Sequence, residues 1–170
     1  MKLAPIRRCL QEHLGTAVSA AFVYGSVATG RDGPGSDLDC FVLTRWDLDG
    51  PQRRRAQAGF AALQRALGFT PDCDYPVELF STHACRAILE GSALAAIIAR
   101  ASTCGIAPHT AQSDETEVLR SLLDQRLVVT HSSCLDQLTE QARALVRRTA
   151  HDPSALLRAL GLDRAPQARI

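Results

Sequence analysis

Two short apolar runs, VSAAFVYG (18–25) and LDCFVLT (38–44), bracket a glycine-rich link that carries Gly30, Gly33 and Gly35. Each run is short and apolar, so each reads as a buried strand. The link lets the chain fold back between them. This arrangement commits the first part of the chain to a sheet. The residues at the two junctions, Gly25-Ser26 and Asp37-Leu38-Asp39, then fall at the strand ends.

The chemistry of those junctions is specific. Gly25 lets the backbone turn sharply after a strand or approach a ligand closely. Ser26 offers a hydroxyl and an amide at the start of a helical turn, where free backbone donors favour an anion such as phosphate. Strand geometry puts residues i and i+2 on one face, so Asp37 and Asp39 point the same way, about 7 Å apart. Two carboxylates so placed repel unless a cation lies between them. Hard oxygen ligands suit Mg²⁺, which takes one or two carboxylates together with substrate phosphates. The expected ligand is a metal-bound triphosphate, and the expected chemistry is phosphoryl or nucleotidyl transfer.

The remaining pattern alternates helices and strands. Ile6, Leu10 and Leu14 predict a first helix over 5–14, and Ala56, Phe60, Leu63 and Leu67 another over 51–67. Asp49 is a cap for the latter, Pro51 suits its first turn and Gly68 ends it. YPVELFS (75–81) reads as a third strand, and a helical stretch broken at Gly91 follows. TCGIAP (103–108) reads as a short edge strand, and 112–117 as a polar connection. One helical stripe is expected at Val118, Leu119, Leu122, Leu123 and Leu127, and another at Leu135, Leu138, Ala142, Leu145 and Val146. Asp152-Pro153 opens a third short helix, and the tail is expected to fray. The fold class is α/β (α+β): a small mixed sheet flanked by helices over 1–110, then a C-terminal helical region over 111–170.

At the junction residues the chain resembles the polymerase-β-like nucleotidyltransferases. Their signature is Gly-Ser, about ten residues, then Asp-x-Asp/Glu. Gly25-Ser26, ten residues and Asp37-Leu38-Asp39 match it, and Ser36 matches the serine that commonly precedes the first aspartate. Phe22-Val23-Tyr24 and Phe41-Val42-Leu43 match the flanking strands. The close resemblance covers 18–43 and extends loosely to 108. It implies two Mg²⁺ ions, a nucleoside triphosphate substrate and a third carboxylate on a later strand. Glu78 is the candidate, with Asp74 as the alternative and Asp72 behind it. Gly25, Ser26 and Ser36 are the implied nucleotide-binding residues. Arg31, in the motif loop, either meets the triphosphate or is solvated.

Other features have plainer readings. Asp47-Leu48-Asp49 is also D-x-D but lacks the Gly-Ser loop, so helix capping and solvation explain it. Arg53-Arg54-Arg55 reads as a solvated face, with Asp47 and Asp49 as the expected ion-pair partners. The five histidines are scattered, and only His131 and Cys134 are close, which is too little for zinc. A net charge of +1 gives no bulk electrostatic hold on nucleic acid. No apolar run reaches membrane-spanning length. Six cysteines without a C-x-x-C pair and no export signal are read as reduced and cytoplasmic.

The expected function is Mg²⁺-dependent transfer of a nucleoside monophosphate, ATP being the expected donor, to an acceptor hydroxyl with release of pyrophosphate. The acceptor is a small molecule or a partner protein, with nucleic acid disfavoured by the charge balance. An antitoxin-like member that binds or nucleotidylates a partner protein is the first alternative. A member that binds nucleotide without turnover is the second.

Overall fold

The computed structural model describes residues 3–72, 75–104, 113–160 and 162. The expected alternative carboxylate Asp74, most of the expected edge strand at 103–108, and nearly all of the tail lie outside the described residues.

Among the described residues the elements run in this order. Helix α1 is Ala4–His13, and a short 3₁₀ turn leads into strand β1, Val18–Val23. The single turn α2 is Gly25–Ala28, β2 is Cys40–Thr44, α3 is Gly50–Ala66 and β3 is Glu78–Ser81. Then come α4 (Thr82–Glu90), α5 (Ser92–Cys104), α6 (Asp114–Leu123), β4 (Leu127–Thr130), α7 (Ser133–Thr149) and α8 (Pro153–Ala159).

The chain forms two compact units. The first is Met1–Ala84 with Gln125–Leu135, and the second is Cys85–Asp124 with Asp136–Ile170. The units therefore do not follow the linear order of the chain: a segment beyond residue 124 returns to the first.

The first unit holds a four-stranded mixed sheet in the order β3-β2-β1-β4. β1 is antiparallel to β2 and to β4, whereas β2 and β3 are parallel. A parallel pair needs a long crossover, and α3 supplies it. On one face of the sheet Ala21, Val23, Cys40, Val42, Leu79 and Val129 pack with Ile6, Cys9 and Leu10 of α1 and Ala56 and Phe60 of α3. The other face carries a stack of rings. Phe22 and Phe41 lie 5.2 Å apart and 14° from parallel, and Phe41 and Phe80 lie 5.4 Å apart and 10° from parallel. Arg126 covers the outer end of that stack, its guanidinium 5.3 Å from the Phe22 ring.

Leu127 was expected on a helical stripe with Leu119 and Leu123. α6 instead ends at Leu123, and Leu127–Thr130 is β4, paired to β1. The reason is partly local and partly long-range: Val128 and Val129 are β-branched, and the distant β1 offers an edge that a fourth strand satisfies. Arg7 of α1 reinforces the join, its Nε donating to the Val129 carbonyl at 2.9 Å. The polar stretch before α6 is also more structured than expected. Ser113 and Thr116 form a capping box, and Asp114, Glu115 and Glu117 complement the helix dipole in the first turn.

In the second unit Leu94 and Ile98 of α5, Val118, Leu119 and Leu122 of α6, Leu138, Ala142 and Leu145 of α7 and Leu156 of α8 are buried. Of the two apolar stripes expected there, Leu127 belongs instead to β4 and Leu123 is half-buried, while the other members are buried. The Ser102 hydroxyl accepts from the His151 amide at 3.1 Å, and Asp152 caps α8 as expected, accepting from the Ser154 and Ala155 amides.

Candidate active site

β1 ends at Val23, and the Tyr24 amide still donates to the Asp39 carbonyl at 3.1 Å. The β1–β2 pairing thus runs one residue beyond the assigned strands and brings Asp39 beside the Gly25 turn. Gly25 has φ +68°, and a Cβ there would run into the Asp39 carboxylate. Only glycine satisfies both conditions: the left-handed backbone and the closeness of the acid. The Thr29 hydroxyl closes the following turn by donating to the Gly25 and Ser26 carbonyls, each at 3.0 Å.

The two acids come just before β2, which begins at Cys40. Leu38 is buried in the core beneath the sheet, whereas Asp37 and Asp39 on either side of it line one cleft. β3 is paired to β2 with Glu78 level with Phe41. Glu78 therefore shares the face of Phe41, and by the period of two it shares the face of Asp39. A small cleft of about 30 Å³ is lined by Asp37, Asp39 and Glu78 together with Tyr24, Gln64 and Asp72. The structure thus brings the three candidate carboxylates to one place. Asp37 is exposed, and Asp39 and Glu78 are half-buried.

The other expected residues sit as follows. Ser26 is half-buried in the first turn of α2, next to Gly25. The Ser36 hydroxyl accepts from the Gly33 amide at 2.9 Å, which shapes the loop. Arg31 is exposed, and its Nε donates to the Thr29 hydroxyl at 3.0 Å. Asp72 lines the cleft, but its Oδ1 accepts from the Tyr75 amide at 2.9 Å in a turn. The expected capping role of Asp49 holds: its Oδ1 accepts from the Gln52 amide at 2.7 Å. Arg53 does not pair with Asp47 or Asp49; its Nη1 donates to the Leu79 carbonyl at 3.0 Å.

That last contact belongs to a feature the sequence reading missed. Gln57 forms a reciprocal pair with Val77, its Nε2 donating to the carbonyl at 2.9 Å and its Oε1 accepting from the amide at 3.1 Å. Gln64 is buried, accepts from the Leu38 amide at 3.1 Å and donates to the Pro76 carbonyl at 2.5 Å. Arg53, Gln57 and Gln64 share one stripe of α3 at helical spacing. They hold β3 and the Asp37–Asp39 segment in place by their backbones. The signal was present in the sequence as polar residues that share the helical period of the core residues Ala56 and Phe60.

Among the described residues, no three His, Cys, Asp or Glu side chains lie close enough to cage a metal unaided. Mg²⁺ is held by one or two carboxylates completed by substrate phosphates and water rather than by an all-protein cage. Three carboxylates facing one solvent-open cleft, with the Gly25 turn beside them, are a fitting donor set. Beneath them Cys40 is buried, and desolvation, with the nearby Cys9 and the Asp39 charge adding to it, drives its thiol pKa strongly up. It is held as a neutral thiol and brings no competing soft ligand.

The family model described as a nucleotidyltransferase domain matches residues 3–90. The chain belongs to that family. It is a nucleotidyltransferase of the polymerase-β-like superfamily. No curated protein matches it. Among solved structures, this nucleotidyltransferase is similar in fold to a toxin–antitoxin crystal structure with AMP-PNP, at TM-score 0.51 and 15% identity, covering 96% of this chain and 98% of that one. It is similarly related to a mutant of the MntA–HpeT toxin–antitoxin, at TM-score 0.50 and 13% identity, with the same coverage. The matched family region contains every candidate site residue of the nucleotidyltransferase, from Gly25 to Glu78.

Proposed function

We propose that the enzyme moves a nucleoside monophosphate from ATP to a hydroxyl of an acceptor. The observation that carries this reading is the meeting of Asp37, Asp39 and Glu78 at one cleft, with Asp39 packed on the Gly25 turn. The adenine nucleotide in a solved structure of the same fold supports the choice of ATP. Asp37 and Asp39, with Glu78 from β3, would hold two Mg²⁺. When bound, Mg²⁺ neutralises charge on the phosphates and lowers the pKa of the attacking hydroxyl.

The protein's own contribution is placement. Gly25 and Ser26 offer backbone and hydroxyl to the triphosphate, and the glutamines of α3 keep the acids at fixed spacing. The acceptor hydroxyl loses its proton to solvent as its oxygen forms a bond to the α-phosphorus, the bond from that phosphorus to the bridging β-phosphate oxygen breaks, and pyrophosphate leaves with that electron pair. Asp39→Asn tests the scheme. Magnesium-dependent pyrophosphate release from ATP should fall by at least about a hundredfold, the scale of a lost electrostatic group, while the thermal melt stays close to that of the parent. Unchanged turnover in that variant would remove the assignment.

For the acceptor, we favour a hydroxyl on a partner protein. Both toxin–antitoxin structures share the fold over almost the whole of this chain, which favours an antitoxin-like role. Incubation with ATP, Mg²⁺ and cell extract should then yield a protein heavier by one AMP unit. The same extract treated with Asp37→Ala should lack it. Transfer only to small molecules would rule this acceptor out.

A further inference from the structure

At the far end of β2 from the acids lies a second concavity of about 610 Å³, lined among others by Arg7, Gln11, Thr16, Arg45, Trp46 and Thr130. Its size suits a ligand of nucleotide dimensions. Trp46 is the only tryptophan of the chain, and it stands 47% exposed. Its backbone is nevertheless held. The Thr44 hydroxyl donates to the Trp46 carbonyl at 2.8 Å, and the Arg45 amide donates to the Ala17 carbonyl at 2.8 Å. Arg7 is anchored through Nε to the Val129 carbonyl, so its terminal nitrogens remain to serve the groove.

Neither the Arg45 guanidinium nor the Trp46 indole N–H has a hydrogen-bond or ion-pair partner among the described residues. No Asp or Glu is among the described residues lining the groove. Two cations without a counter-charge repel one another, and an anion between them removes that cost. An exposed indole beside them offers a flat face for a ring to stack on. A basic groove with an aromatic platform is the chemistry that binds a base together with its phosphate. An acidic peptide would use the arginines and leave the indole face without a flat partner.

We infer that this groove is a second nucleotide-binding site, in which a nucleobase stacks on Trp46 and its phosphate is held by Arg7 and Arg45. It is separate from the carboxylate cleft, because the five strand steps from Asp39 to Thr44 alone span about 17 Å. It stands independently of the catalytic role given to Asp37 and Asp39. The base-plus-phosphate unit comes either as free nucleotide or as one residue of a single strand.

Trp46, as the sole tryptophan, reports on its own site. The full chain is titrated with AMP in EDTA, where nucleotidyl transfer cannot proceed, and indole emission is followed with excitation at the red edge. Saturable quenching is expected, unchanged in Asp39→Asn and weakened at least about tenfold in Arg45→Ala. A hexameric oligoadenylate is titrated in parallel. Affinity about tenfold above that of AMP assigns the ligand to a strand, and equal affinity assigns it to free nucleotide. Calorimetry on Trp46→Leu, an exposed position, should show the same loss without a change in melting temperature. Absence of saturable quenching by both ligands at millimolar concentration overturns the inference. So does loss of quenching in Asp39→Asn, or displacement of AMP by inorganic phosphate at equal concentration.

Discussion

Gly25 and Asp39 are coupled by space rather than by charge alone. The left-handed backbone at position 25 and the acid packed on it leave no room for a methyl group. Gly25→Ala should cost about 2 kcal/mol, from the left-handed penalty and the displaced neighbour. Its pyrophosphate release should fall more than tenfold, because the carboxylate must move. Gly33→Ala is the matched control: open space surrounds position 33, so melting temperature and turnover should stay at parental values.

Two thiols in the same core give a pH signature. Burial, with the Glu12 charge adding, pushes the Cys9 pKa up to about 11, and Cys40 is driven further in the same direction, chiefly by desolvation. Below the ordinary thiol range both states of the protein keep these protons. As pH rises towards 11, the unfolded chain releases them while the folded one does not, so stability falls. Urea midpoints measured from pH 7 to pH 11 should decline at the alkaline end. The decline should be shallower in Cys9→Ala, measured relative to its own midpoint at pH 7. An identical alkaline slope in both proteins would dismiss the thiols as its source.

The long helix α3 has two jobs, and the same face of it does both. Ala56 and Phe60 fill the core, while Arg53, Gln57 and Gln64 bond to the backbone of β3 and of the acid-bearing segment. Gln64→Leu keeps the volume roughly and strands the Leu38 amide and the Pro76 carbonyl. The expected cost is about 2–3 kcal/mol for those buried groups. Turnover should fall with little change in the KM for ATP, since the defect lies in how the acids are held. A parental kcat would show that the segment holds its geometry without this bond.

The same helix shows what the sequence disclosed and what it concealed. Its limits were legible because Asp49, Pro51 and Gly68 are local signals that act within one turn. Likewise Gly25-Ser26 and Asp37-Leu38-Asp39 announced a site because their spacing is short-range. That Glu78 lines the same cleft depends on the register of β2 against β3, which is a long-range property. β4 was concealed for a related reason. Leu127 continues the apolar period of α6, and only the open edge of β1 decides that the chain extends there instead. The polar anchors Gln57 and Gln64 were visible as residues, but their partners lie in a strand that periodicity alone does not bring near.

The sheet is not complete until β4 joins it, and β4 comes after α4, α5 and α6 in the chain. A fragment of residues 1–110 would have every candidate catalytic side chain yet expose the flank of β1 and lose the Arg7 bond to Val129. An unpaired strand edge invites association between chains. That fragment should run as large species in size exclusion, and a fragment of 1–84 joined by a flexible linker to 125–135 should recover a monomeric sheet. A monomeric, cooperatively melting 1–110 fragment would show that β4 is dispensable.

The late arrival of β4 sets an order of events during synthesis. β1 ends at Val23 and β2 begins at Cys40, so this pair can meet early, but the other flank of β1 waits for a strand that begins only at Leu127. Long-range pairing of this kind is slow, and a nascent chain with a bare strand is exposed to its neighbours on the polysome. A nascent chain that has not yet emerged past residue 130 can complete only three of the four strands of this sheet, and the longer it stays so, the longer its bare flank is open to neighbouring chains.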